Sequence, residues 1–460
     1  MNITKEDTGQ HTATLKIEIK PEDYREGVER SLKEIQKKTE LKGFRPGKVP
    51  LGLVRKMHGN TLVAEEINKV LSESVYSFIK ENELNILGHP IENKEKNKPV
   101  DFATQKDFTF FFDIGLVPDF NLEVNENTSV DYFEIKVEEK EIDEQQDSIR
   151  GKAGTFIEAN DVAEDDVVKG KIEELDDSAN PKADGISLET SIMPRYIKDE
   201  QVRGRFLKCK RGETIDFNPV KAMDNEHEVA SLLSVKTDQV KEIDSDFRFA
   251  VSDIRRLQPA ELNSDLFNKV YPDGNIETTE EFRKKLASEI KEYYQRESDH
   301  FFAHSAMEKL IDTTEISLPD EFVKKWLTQT EDGLTTEEVE KDYTKYARSL
   351  KQQLIINRIS KEHDLRIAEE DIRSHIKDWF TGQYMKGIPP SEEMRAQLDK
   401  FADNVMQNEE EVGKIHDQLF DEKLRDLLME KLHLNRKEVT FKEFSDIVTE
   451  LHKSEHDEQQ

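Results

Sequence analysis

Cysteine is almost absent. Cys209 stands alone among 460 residues, so no disulfide can form within the chain, which suits a reducing compartment. Hydrophobic residues make up only 35%, against about 45–50% in an ordinary globular domain. No apolar run reaches the roughly 18 residues of a membrane-spanning helix. The stretch Met1 to Asp7 has no apolar centre of a secretion signal. The expectation is a cytoplasmic protein that makes no membrane contact. Metal and cofactor motifs are missing as well. There is no H-E-x-x-H and no Cys–His cluster, and the 12 histidines are scattered, so no metal is expected. Without G-x-x-x-x-G-K-[ST] or G-x-G-x-x-G, no nucleotide cofactor is expected and an ATP-driven cycle is disfavoured. G-x-S-x-G is missing too. No catalytic residue is assigned.

What the chain has is charge. Charged residues make up 36%, and the net charge is −31. This balance suits an elongated, helix-rich, multidomain protein, and 24 Phe with sustained periodicity argue against disorder. One segment reverses the sign. From Lys33 to Lys56 eight cations face two anions. A solvated helix face is the plain alternative there. The segment is centred on Gly43-Phe44-Arg45-Pro46-Gly47-Lys48-Val49-Pro50. Two glycines and two prolines make this a stiff loop between helices. Lys37, Lys38, Lys42, Arg55 and Lys56 extend its basic patch.

Along the chain, residues 12–20 alternate as a half-buried strand. Pro21 opens a helix that fails at Gly43. A short helix from Pro50 is expected to break at Gly59-Asn60, with a longer one following. Strands near 85–91 and 108–116 close an α+β unit. A strand around Val130 to Val137 and a polar helix from Glu138 to about Lys152 come next. Residues 161–256 hold short apolar runs with turn punctuation, a β-rich module. Helical spacing then dominates. Thr278, Thr335 and Thr440, each with Glu three residues on, read as capping boxes, and Gly387-Ile388-Pro389-Pro390 reads as a helix end.

The loop matches every fixed position of G-F-R-x-G-K-x-P and is identified with the ribosome-binding signature of bacterial trigger factors. The resemblance covers nearly the whole chain, weakly in its middle. It implies an α+β multidomain protein: an α+β ribosome-binding domain at 1–116, a connector at 117–160 packing with the C-terminal part, a divergent FKBP-like β-rich domain at 161–256, and an all-α chaperone body with arms at 257–460. Phe206 to Pro219 resembles that module's strand–turn–strand. Implied partners are the large ribosomal subunit at the tunnel exit, through protein and rRNA phosphate, and nascent or unfolded polypeptides, with a homodimer off the ribosome. The implied function is an ATP-independent chaperone. Two alternatives stand beside it: an active peptidyl-prolyl isomerase, and a dimeric holdase that works without the ribosome. The isomerase alternative is weakened by the residues themselves. The family's Pro-Gly-Phe is replaced by the neighbourhood Lys198-Asp199-Glu200-Gln201, Val220 to Ala230 contains no aromatic, and Tyr196 alone remains, read as a packing residue.

Overall fold

The computed structural model describes residues 1–41, 44–45, 47–272, 274, 276–329, 334–384 and 391–458. The helix end read at Gly387 to Pro390 lies outside them. The chain opens with strands β1 (Asn2–Gly9) and β2 (Thr12–Ile19), helices α1 (Pro21–Lys38) and α2 (Leu51–Glu81), and strands β3 (Ile86–Glu92) and β4 (Phe108–Leu116). The strands form one antiparallel sheet in the order β1-β2-β4-β3. Alternation on β2 turns Ala13, Leu15, Ile17 and Ile19 to one face, where Leu32 of α1 and Val54 and Ile67 of α2 join the same core.

Helix α2 runs straight through Gly59-Asn60, where a break is expected from sequence. A glycine inside a helix costs about 1 kcal/mol relative to alanine. Val54, Leu62, Ile67, Leu71 and Val75 are buried on both sides of it, each worth about 1.5–3 kcal/mol. Packing outweighs the local propensity.

Next come β5 (Ser129–Lys136), α3 (Glu139–Lys152), β6 (Thr155–Glu158), β7 (Val167–Glu174), β8 (Ser187–Ile192), α4 (Glu200–Lys208), β9 (Thr214–Phe217), α5 (Pro219–Ala222), α6 (Glu226–Leu233) and β10 (Phe247–Gln258). Their sheet runs β6-β10-β7-β8, with β9 also on β10. The module's two ends meet, since Thr155 pairs with Gln258. Phe206, expected on a strand, lies in α4. The Asp199 carboxylate caps that helix by accepting from the N–H groups of Gln201 and Val202. Val202 and Phe206, one turn apart, are its buried face.

The remainder is helical: α7 (Ser264–Val270), α8 (Thr279–Thr313), α9 (Asp320–Gln329), α10 (Thr336–Glu362), α11 (Glu369–Tyr384), α12 (Glu392–Val405), α13 (Glu409–Lys431), then β11 (His433–Thr440) and α14 (Phe441–Glu458). Both capping boxes at Thr278 and Thr335 form, with the Thr hydroxyl and Glu carboxylate each accepting a backbone N–H of the other. Strand β11 departs from an all-α reading. It pairs with β5, held by Arg436 on Glu134 and Lys437 on Asp131. Its partner lies some 300 residues away, so no local pattern announces it.

By contacts the chain divides into two units: Met1–Glu134 with Glu297–Lys437 and Lys442–Gln460, and Ile135–Arg296 with Glu438–Phe441. In the first, α9 sits on the edge of the N-terminal sheet. Gly88 has φ +63, and a Cβ there would fall 2.3 Å from Cε2 of Trp326. The Trp326 indole N–H donates to Nδ1 of His89 at 3.2 Å. A Gly88→Val substitution adds a left-handed-region penalty to overpacking and costs about 2–3 kcal/mol. Urea unfolding followed by tryptophan fluorescence checks this, and an unshifted transition contradicts the seat described. In the second unit, Arg283 of α8 reaches Glu139 at 2.6 Å and Asp143 of α3, while Ile142, Phe267, Phe282 and Leu286 form the core beneath.

Candidate functional site

The loop between α1 and α2 is pinned at its base. As α1 ends, the Thr39 N–H and hydroxyl both donate to the Ile35 carbonyl, at 2.8 and 2.7 Å. Gln36 Nε2 donates across the loop to the Val49 carbonyl at 2.7 Å. Val49 is 0% exposed and belongs to the core of the N-terminal sheet. Gly47 takes φ +73 with its Cβ position 3.1 Å from the Lys37 carbonyl, a conformation and a spacing that favour glycine. Its N–H donates to Thr39 O, and the Lys48 N–H donates to Arg45 O at 2.9 Å. Pro50 then accepts from the N–H groups of Leu53 and Val54 to start α2.

Against this fixed base, Phe44 is 41% exposed, and Arg45, Lys48 and Pro50 are exposed too. Lys42, Gly43 and Pro46 lie outside the described residues. Lys37 and Lys38 occupy the last turn of α1, where cations favour the carbonyl end of the helix. Arg55 is spent on Glu29. Among the described residues, Lys37, Lys38, Arg45, Lys48 and Lys56 make no ion pair, so their field is open to solvent. The loop offers a guanidinium fork, an ammonium and an aromatic ring, all exposed. That set fits an anionic surface with an apolar niche. Of the eight loop residues proposed from sequence, Val49 faces inward and anchors the loop's C-terminal end in the core. Gln36, which fixes the loop carbonyl, was invisible to sequence reasoning, since a glutamine on a helix carries no signal of a cross-loop bond.

The β-rich module gives no second site of the expected kind. Phe206, Phe217 and Phe249 are buried against one another, with Phe206 5.3 Å from Phe217 at 89° and 5.7 Å from Phe249. These rings fill a core. Tyr196, read as packing, is instead 37% exposed. Its hydroxyl accepts from Arg195 at 2.8 Å, and that guanidinium lies 4.8 Å from its ring centre. Burial pushes the Cys209 thiol above its ordinary range, which disfavours the thiolate. Among the described residues there is no group of side chains able to hold a metal ion.

An α+β module with a pinned basic loop, a β-rich insert and a run of long helices together make the layout of a multidomain chaperone. Three family models match in chain order: bacterial trigger factor protein over residues 1–149, the FKBP-like domain of probable trigger factor over 156–259, and its C-terminal domain over 298–448. The chain belongs to the trigger factor family. It is 22% identical to the trigger factor of Caldicellulosiruptor saccharolyticus, covering 82% of this chain and 87% of the relative. With that of Pelagibacter ubique it shares 20% identity over 99% and 91%, and with that of Bartonella quintana 24% over 93% and 90%. A solved structure, from work on promiscuous substrate recognition in folding and assembly activities of the trigger factor chaperone, shares its fold with TM-score 0.50 and 15% identity, over 94% of this chain and 99% of the other. Among the described residues no helix is long and apolar enough to cross a membrane.

Proposed function

We propose that this chain is an ATP-independent chaperone that docks beside the ribosomal tunnel exit and shields emerging polypeptides in the cytoplasm. One observation carries the reading: Phe44, Arg45 and Lys48 stand exposed on a loop whose base is buried at Val49 and bonded at Gln36. On this reading Phe44 enters an apolar niche, and Arg45 and Lys48 meet carboxylate or rRNA phosphate. Gly47 supplies the left-handed turn of the loop and Pro50 the start of α2, and the cations of Lys37, Lys38, Lys42 and Lys56 add long-range attraction. Residues 1–116 are then the docking domain, 117–160 a connector, 161–256 the insert, and 257–460 the body that meets clients. Homodimers off the ribosome are compatible with this. The solved relative's description, promiscuous substrate recognition in folding and assembly, supports a broad client range for this chain too. Co-sedimentation with large ribosomal subunits, comparing wild type with a Phe44→Ala/Arg45→Ala/Lys48→Ala variant, tests the docking.

Prolyl isomerisation is not favoured. Turning a prolyl bond over a barrier of about 18–20 kcal/mol requires an open apolar cup that favours the twisted amide. Phe206 packs on Phe217 and Phe249 in the core, which leaves Tyr196 a single exposed ring and not a cup of aromatics. A prolyl-peptide assay is expected to give no acceleration over the uncatalysed rate. A rate like that of an intact FKBP-type domain contradicts this.

A further inference from the structure

The insert carries a second concentration of positive charge. Between Arg195 and Arg211 seven cations stand against Asp199 and Glu200, in a chain of net charge −31. Asp199 is committed to capping α4. Arg195 pairs with Asp165 at 3.2 Å and Arg211 with Glu158 at 4.0 Å. Among the described residues the other five, Lys198, Arg203, Arg205, Lys208 and Lys210, make no ion pair.

Helical geometry sets part of this charge around one spot. With 3.6 residues per turn, the buried Val202 and Phe206 leave Gly204 pointing directly away from the core. Lys208 follows one turn on, Arg203 and Arg205 flank the spot, and Glu200 precedes it by one turn. Apart from its chain neighbours and the backbone of α4 itself, nothing lies within 4 Å of the Cβ position at Gly204. A mid-helix glycine is destabilising relative to alanine, and nothing in the fold requires this one. A bare patch of helix backbone between cations lets a polyanion approach closely. The short turn Pro194–Tyr196 precedes α4 and packs on it, and its tyrosine ring is exposed, with the Arg195 guanidinium over it.

We propose that this face binds RNA by its phosphodiester backbone, with Tyr196 offering a stacking surface to an unpaired base. Unpaired cations around a bare backbone patch answer evenly spaced phosphates, and an exposed tyrosine ring answers a base face. An acidic polypeptide uses only the first of these. The assignment is independent of ribosome docking through the α1–α2 loop.

Fluorescence anisotropy of a labelled single-stranded RNA of mixed sequence, titrated with the full chain at several salt concentrations, tests it. Arg203→Ala/Lys208→Ala/Lys210→Ala is expected to weaken binding at least about fivefold and to reduce the salt slope by about 2. Glu200→Gln removes the anion next to Gly204 and is expected to tighten binding, a gain that no folding defect imitates. Tyr196→Ala is expected to weaken binding of single strands and leave a duplex unaffected. Arg45→Ala/Lys48→Ala is expected to change nothing. The proposal is overturned if wild type does not bind the RNA, if the triple variant binds as well as wild type, or if the Arg45/Lys48 variant loses the binding. Poly-glutamate displacing the RNA at equal charge puts an acidic polypeptide in its place and also overturns it.

Discussion

Replacing Phe44, Arg45 and Lys48 together with alanine is expected to lower affinity for large ribosomal subunits by about fortyfold or more, since every 1.4 kcal/mol is about a factor of ten. Each hydrogen bond to a charged group is worth about 1.5–3 kcal/mol. Burying a phenyl ring adds about 1.5–3 kcal/mol. If only half of that total survives the costs of association, the loss is about 2.3–4.5 kcal/mol, a range that spans the hundredfold mark near about 2.8 kcal/mol. The same variant should keep its circular dichroism and thermal transition, because all three residues lie outside the core. Wild-type binding should weaken as salt rises, and the variant's residual binding should depend less on salt. Unchanged co-sedimentation removes this loop as the anchor.

The second large effect is structural. Phe206→Ala empties the centre of the insert, where Phe217 and Phe249 meet that ring. Truncating a buried phenylalanine costs about 3–5 kcal/mol, a large share of what an isolated domain has to spare. Hydrogen exchange reads it directly. Amide protection in β7, β9 and β10 is expected to collapse, while the N-terminal sheet keeps its protection and ribosome binding persists. Protection retained across those three strands contradicts the filled core.

Where side chains announce their own surroundings, sequence and structure agree. The alternation on β2, the proline opening α1 and the Thr–Glu boxes at Thr278 and Thr335 are local signals, and local hydrogen bonds answer them. Readings fail where distant residues decide, and at α4 where a local helix cap was passed over. Gly59 looked like a break because the burial on both flanks of α2 is not local information. Phe206 read as strand, although Asp199 seven residues earlier caps its helix. Strand β11 depends on Asp131 and Glu134, far back in the chain. In the loop, the basic and aromatic character was legible, but the burial of Val49 was not. A valine between a lysine and a proline gives no sign that it faces a core.

The joined ends of the β-rich insert bear on the order in which the chain assembles. Arg283 and Asp143 lie 140 residues apart, and Arg150 donates to the Ala260 carbonyl at 3.0 Å. Once Thr155 and Gln258 have paired, most of that separation is already closed. Each halving of an open loop recovers only about 0.6 kcal/mol, so the thermodynamic gain is near 1 kcal/mol. In that sense the insert acts as a buckle: with its ends paired, the helices on either side of it are near neighbours along the effective chain.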